Sequence, residues 1–265
     1  MELGLKGKVV LVTGASRGIG RAIALAFSGE GCRLALASRT EEALAAVSKE
    51  AEALGAEARH WITDVTDPNQ VESLVGNVSR VLGGIDVLVN NAGGSSRKAF
   101  EAVSDDEWER IVNLNLFSAI RLSRAVLPHM KERGGGQIIN IAALSGRVPR
   151  LGQIASNAAK AALINFTESL AAEVARHGIR VNAVCPAAIL TERWQEKVAH
   201  YGKEHGLPFE QAVMELAGKS IPLGRFGLPE EVASAVVFLA SERAGFITGV
   251  SIFVDGGMGR SVSIP

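Results

Sequence analysis

The residues whose spacing first suggests chemistry are Thr13-Gly14-Ala15-Ser16-Arg17-Gly18-Ile19-Gly20. Glycines placed this way let the backbone turn tightly and approach an anion closely. An anion held there sits at the N-terminus of the helix that follows, where unpaired N–H groups and the helix dipole favour negative charge. The chemistry implied is pyrophosphate binding by main chain. A glycine pattern alone is a weak signal. This one follows an apolar run at 9–12 and opens a helical stretch with Ile23 and Phe27 four apart, which is the context a dinucleotide site requires. The alternative is a purely structural turn. The second apolar run, 34–37, leads into Ser38-Arg39. Sites that prefer NAD(H) usually carry an acid there for the adenine ribose hydroxyls. Here the acid is absent, and the forks of Arg17 and Arg39 suit a 2′-phosphate. The expected cofactor is NADP(H), with NAD(H) a second ligand; the alternative is two solvated surface arginines.

The elements that must position these residues alternate regularly. Apolar runs at 9–12, 34–37, 59–63, 85–90, 138–141, 179–184 and 251–254 read as strands. Helical stretches fall near 41–54, 68–82, 105–133, 153–177 and 229–241. Strands buried on both faces and joined by helical crossovers are parallel, and right-handed crossovers wind them into a doubly wound sheet. The expected fold is α/β, of Rossmann type, with seven mostly parallel strands and helices on both faces. No linker, repeat or low-complexity segment divides residues 1–265, so one nucleotide-binding domain is expected. The one departure is 191–226, which mixes charges, Gly and Pro with apolar residues and reads as a helical excursion.

Taken together, the motifs resemble those of the short-chain dehydrogenase/reductase family over nearly the whole chain. The 13–20 spacing is similar to that family's TGxxxGxG. Asn90-Asn91-Ala92-Gly93 resembles its NNAG, Asn115 its helix asparagine, and Lys160 the lysine of its YxxxK. Pro186 to Thr191, through Ile189, resembles its PGxxxT, with Ala187 where glycine is usual. Asp64-Val65 resembles its adenine-contacting pair, and Ile247-Thr248-Gly249 with Val254-Asp255-Gly256-Gly257 its C-terminal signature. The resemblance implies an NADP-linked oxidoreductase acting on a carbonyl or alcohol, similar to 3-oxoacyl reductases. It also implies a homotetramer, or failing that a dimer, paired through the helices carrying Asn115 and Lys160; Ala158, Ala161 and Leu170 suit burial against a partner.

Two positions depart from that pattern. The family's general acid is a tyrosine four residues before the lysine; here that residue is Ser156. Its substrate-binding serine near the end of the fifth strand aligns with Ala143. A serine hydroxyl is a far weaker acid than a phenol, whose pKa is about 10. Losing a positioned general acid costs about 10²–10⁴ in rate, and losing an oxyanion donor about 10²–10³. Three substitutes are open: Ser145, placed as in dienoyl-CoA reductases of the family; Tyr201, the only tyrosine in the chain; or a water held by Ser156 and Lys160. Two readings compete with the carbonyl reductase: a nucleotide-binding homologue with little turnover, by divergence or by engineering, and a reductase of conjugated alkenes.

Trp194, Val198 and Tyr201 fall on one helical face, and Phe209, Val213 and Leu216 repeat the pattern. In the resembled family this segment is the substrate lid, implying an apolar or acyl-like substrate; the alternative is two short helices packing on the body. Lys plus Arg and Asp plus Glu balance at 28 each, which favours neither nucleic acid nor an anionic membrane as partner. Cys32 and Cys185 form no framework and no metal-type cluster. With no signal peptide or apolar span, a cytoplasmic protein without a metal is expected.

Overall fold

The computed structural model describes residues 2–260. Seven parallel strands form one sheet in the order β3-β2-β1-β4-β5-β6-β7. They are β1 (Val9–Thr13), β2 (Arg33–Ser38), β3 (Ala58–Ile62), β4 (Val87–Asn90), β5 (Gly136–Ile141), β6 (Ile179–Pro186) and β7 (Ser251–Val254). Every pairing is parallel, so the mostly parallel sheet expected from the sequence is parallel throughout. The chain builds outward from β1 to β3, then crosses back to place β4 on the other side of β1. That reversal opens a crevice at the C-terminal ends of β1 and β4, where ligands of doubly wound folds bind.

Helices cover both faces: α1 (Gly18–Gly29), α2 (Glu41–Ala53), α3 (Pro68–Leu82), α4 (Asp105–Val112), α5 (Ser118–Glu132), α6 (Ile154–Val174) and α9 (Pro229–Ala240). Alternate residues of β1 divide between two cores. Val10 and Val12 pack with Ile23, Phe27, Leu34 and Val236 on one face. Val9 and Leu11 pack with Leu74, Val78, Leu122 and Val126 on the other. Two further helices, α7 (Glu192–His205) and α8 (Phe209–Gly218), stand between β6 and α9. Val198, Ala212, Ala217, Ile221 and Phe226 give them a small core of their own, with Trp194 and Tyr201 packed against it.

Helix boundaries follow local chemistry. Asp67 caps α3 by accepting from the Asn69 and Gln70 N–H groups, Pro68 occupies the first turn, and Gly83 ends the helix in a left-handed conformation. The stretch read as one helix over 105–133 is interrupted: Asn113–Phe117 form a π-helical turn between α4 and α5, in which the Ser118 N–H bonds Asn113 O, five residues back. A buried polar chain braces the middle of the sheet. Asn90 Nδ2 donates to Asn140 Oδ1 at 2.8 Å, and Asn140 Nδ2 donates to Thr167 Oγ1 at 2.9 Å, tying β4 and β5 to α6. Among the described residues, no helix is long and apolar enough to cross a membrane.

Candidate active site

The glycine loop lies at the crevice, and its shape is set by contacts that leave no room for side chains. Gly14 and Gly18 have φ of 63° and 54°, a region that favours glycine. A Cβ on Gly20 would lie 2.2 Å from Gly14 O and 2.5 Å from Asn91 Nδ2. Thr13 and Asn91 clasp the loop to β4. The Asn91 and Ala92 N–H groups donate to Thr13 Oγ1, which itself donates to Val89 O. Asn91 Nδ2 donates to Thr13 O at 2.9 Å and to Gly14 O at 3.1 Å. Helix α1 has neither a side-chain cap nor an acid in its first turn. Apart from the Gly18 N–H, which makes a long contact of 3.4 Å to Glu192 Oε1, the opening N–H groups of α1 are therefore available to an anion. Arg17 and Arg39 are exposed at the ends of β1 and β2, and among the described residues no hydrogen bond or ion pair engages either guanidinium. Ser16 lies in the same loop, Ile19 packs inward on the core, and Val65 is buried beyond β3. Asp64 fixes that last turn by accepting from Thr66 N and Oγ1. Backbone donors, an uncapped helix and two unpaired guanidinia fit a phosphorylated dinucleotide.

The other half of the crevice lies over β4, β5 and β6. The π-helical turn aims the buried Asn115 side chain at Gly94: its Nδ2 donates to Gly94 O and Ile111 O, both at 2.9 Å, and its Oδ1 accepts from Gly94 N. A Cβ on Gly93 would lie 2.9 Å from Asn115 Oδ1 and 3.4 Å from Lys160 Nζ. The sequence positions 93, 115 and 160 therefore meet at one point. Lys160 Nζ donates to Ile141 O at 2.7 Å. Burial of its charge lowers the ammonium from the ordinary lysine value to about 8, while Cys185 acts weakly in the opposite sense. Burial pushes the Cys185 thiol up to about 12, so it stays protonated.

Ser156 stands one turn before Lys160 on α6, 4% exposed, and its Oγ has no hydrogen-bond partner among the described residues. Ala143 precedes a short turn, Leu144–Gly146, that packs directly on α6: a Cβ on Gly146 would lie 2.8 Å from the Lys160 carbonyl carbon. Ser145 is buried within that turn. Tyr201 is not part of this group. Its hydroxyl donates to Glu215 at 2.8 Å and accepts from Lys219, its ring stacks on His205, and the whole side chain braces α7 against α8. Pro186 ends β6; Ile189 is buried and pairs with Gly227; Thr191 stands at the start of α7 without a side-chain cap bond, its methyl 3.3 Å from where a Gly18 Cβ would stand. Trp194 packs on Phe226 and Val198 is fully buried, so the predicted lid face is the internal face of a helical pair. Among the described residues, no group of three or more His, Cys, Asp or Glu side chains is placed to hold a metal.

Sequence reasoning missed two contacts here. Thr13 is the hinge of the clasp, and its only sequence signal is its place before Gly14. Glu192, at the start of α7, accepts from the Gly18 N–H at 3.4 Å, a long contact bridging 174 residues of chain.

Comparison with known proteins agrees with this geometry. A family model described as enoyl-(acyl carrier protein) reductase matches residues 14–259. The 3-oxoacyl-[acyl-carrier-protein] reductase of Vibrio harveyi is 41% identical over 256 residues, 97% of this chain and 99% of its own. The chain belongs to the short-chain dehydrogenase/reductase family. Among solved structures, L-sorbose reductase from Gluconobacter frateurii, complexed with NADPH and L-sorbose, is 37% identical with a TM-score of 0.95, over 99% of this chain and 100% of that one. Aldohexose dehydrogenase of Thermoplasma acidophilum is also 37% identical, with a TM-score of 0.86, over 98% of this chain and 97% of that one.

Proposed function

We propose that this protein is an NADP(H)-linked oxidoreductase that interconverts a carbonyl and an alcohol on a small molecule of 3-oxoacyl type, through an active site altered at Ser156 and Ala143. The observation that carries the reading is the meeting of Gly93, Asn115 and Lys160 in the same crevice as the glycine loop. The relative acting on 3-oxoacyl groups and the neighbour holding NADPH support it. In the cofactor half, Gly14, Gly18 and Gly20 admit the pyrophosphate, while Arg17 and Arg39 take the 2′-phosphate. Asp64 and Val65 flank the adenine, and Pro186, Ile189 and Thr191 line the nicotinamide end beside Asn91, Ala92 and Gly93.

Bound nicotinamide supplies or accepts the hydride. The proton is the chain's own task. Asn115 fixes the Gly93–Gly94 backbone, and Lys160 stands beside it. With no phenol at position 156, the Lys160 ammonium at about 8 is the group able to release a proton near neutral pH to the oxygen formed from the carbonyl. The unpartnered Ser156 hydroxyl can hold a water between them, and Ser145 can add a hydrogen bond to the substrate oxygen. Fluorescence titration with NADPH and NADH, followed by turnover of a ketone panel, tests the reading. Tight NADPH binding with slow ketone reduction is expected. Absence of NADPH binding overturns it, and binding without turnover of any substrate leaves a nucleotide-binding homologue. The enoyl reductase description of the family model favours a second reading, a conjugated alkene substrate, which the same panel tests when extended to enoyl thioesters.

Assembly belongs to the same proposal. Trp108, Phe117 and Arg121 line an open groove along α4 and α5, the face through which the resembled family pairs, and Ala158 and Ala161 are exposed on α6. Strand β7 is an edge of the sheet, with Phe246 fully exposed nearby. Both surfaces suit a symmetric homotetramer; light scattering that gives a monomer at micromolar concentration overturns this part alone. The two buried free thiols fit a cytoplasmic location.

A further inference from the structure

At the substrate end of the crevice, two loops and a helix that follow different strands bring positive charge together. Arg97 lies on the loop after β4, four residues past Gly93. Arg150 lies on the loop after β5, shortly before α6. The two loops are stitched by a hydrogen bond from Lys98 N to Gly152 O at 2.9 Å, and Arg97 Cγ lies 3.3 Å from where a Gly152 Cβ would stand. Asn157 Nδ2 donates to Arg150 O at 2.8 Å and so anchors that loop to the first turn of α6, beside Ser156. The lid adds Lys197 on α7, whose ammonium lies 4.8 Å from the Trp194 ring centroid and within electrostatic reach of Arg97 and Arg150.

Among the described residues these cations have no acidic partners: no ion pair or side-chain hydrogen bond engages Arg97, Arg150, Arg193 or Lys197, whereas the neighbouring Lys98 is paired with Glu107. Arg150 is half-buried, and its charge is disfavoured first by burial and then by Arg97. Lys197 is disfavoured by burial and by Arg193, Arg97 and Arg150, with no carboxylate acting in the opposite sense. The chain as a whole is electrically balanced, so a local excess of cations is not a by-product of a basic composition. Like charges held together and partly desolvated raise the energy of the empty site, and an anion entering among them lowers it. The 2′-phosphate cannot be that anion: Arg17 and Arg39 sit over β1 and β2, on the other side of the strand reversal.

We propose that Arg97, Arg150 and Lys197 receive an oxyanion, a carboxylate or a phosphate, at the far end of the substrate from its reacting carbonyl. The proposal rests on the reductase reading and narrows its substrate class from carbonyl compounds in general to anionic ones. The lid contributes Lys197, so an anionic substrate also holds α7 against the two loops.

Calorimetry on the NADPH-bound protein tests this without requiring turnover. Two matched pairs serve as probes: 4-oxopentanoate with its methyl ester, and dihydroxyacetone phosphate with dihydroxyacetone. At least one charged probe is expected to bind about tenfold or more tighter than its neutral partner, as a charge-assisted hydrogen bond implies. The advantage should fall with added salt, disappear in Arg150→Gln, and survive in Arg150→Lys. Equal binding within both pairs overturns the proposal, as does a preference that persists in the Arg97→Gln/Arg150→Gln double variant. Thermal melting of each variant reports folding separately. The preceding NADPH titration separates the two readings, because loss of cofactor binding sinks the reductase reading, while normal cofactor binding with charge-blind ketone binding sinks only this one.

Discussion

The two halves of the crevice are built on different principles. Over β1 and β2 the work falls to main chain: positive φ at Gly14 and Gly18, a Gly20 with no room for a Cβ, and the Thr13–Asn91 clasp. Over β4 and β5 it falls, on the function proposed above, to side chains at separate positions, of which Asn115 and Lys160 would keep the family pattern while Ala143 and Ser156 would depart from it. A backbone cradle is a single cooperative object, lost or kept as a whole. A set of side chains can be altered one member at a time without disturbing the scaffold, since Ser156 is well packed and leaves only one hydroxyl unpaired. Binding and chemistry are thereby separable in this fold.

The largest expected effect restores the altered half. Ala143→Ser with Ser156→Tyr supplies an oxyanion donor and a phenol beside Asn115 and Lys160, and should raise ketone turnover by at least about 10², with each single change giving less because the groups act as a unit. No gain across a broad ketone panel would break the comparison. Damage to the intact half should act on binding instead. Gly20→Ala pushes a methyl into Gly14 O and Asn91, and overpacking of this kind costs about 1–3 kcal/mol. NADPH affinity should fall roughly ten- to a hundredfold in a fluorescence titration. A smaller change of partner follows from Arg39→Asp, which removes a phosphate ligand and adds a ribose acceptor. The ratio of NADPH to NADH affinity should drop about tenfold, since hydrogen bonds to charged groups contribute about 1.5–3 kcal/mol. The gentlest probe is pH. Lys160 donates only as the ammonium, so residual ketone reduction should be level below its value of about 8, half-maximal there, and decline above it. A rate that rises through that region would take the proton-donor role away from Lys160.

What the sequence made legible divides along similar lines. The α3 boundaries were readable because Asp67, Pro68 and Gly83 are local signals that act within a few residues. The glycine loop was readable because a requirement for glycine leaves a mark in residue type. The π-helical turn at Asn113–Phe117 was not, since one extra residue in a turn leaves the apolar pattern of 105–133 helical on inspection. The periodicity of Trp194, Val198 and Tyr201 located a helix correctly, but the pattern cannot say which neighbour the face meets. The structure turns it toward α8 and Phe226. The cationic group of Arg97, Arg150 and Lys197 was out of reach for the plainest reason: its members are distant in sequence, and only the parallel order of β4, β5 and β6 makes them neighbours.

The π-helical turn has a consequence for the register of the whole helix that contains it. Ile111 before the turn and Ala119, Leu122, Val126 and Met130 after it are all buried. Eight residues of regular α-helix would carry position 119 about 80° past position 111, because each residue turns the helix by about 100°. The widened turn absorbs that excess. It works as a phase correction, keeping the apolar stripes of α4 and α5 in line while Asn115, at its middle, points toward Gly94. Deleting one residue of 113–117 would leave Ile111 and Ala119 seven apart, about 20° short of two full turns, so an evenly wound helix would keep both stripes in line and lose only the widened turn that carries Asn115.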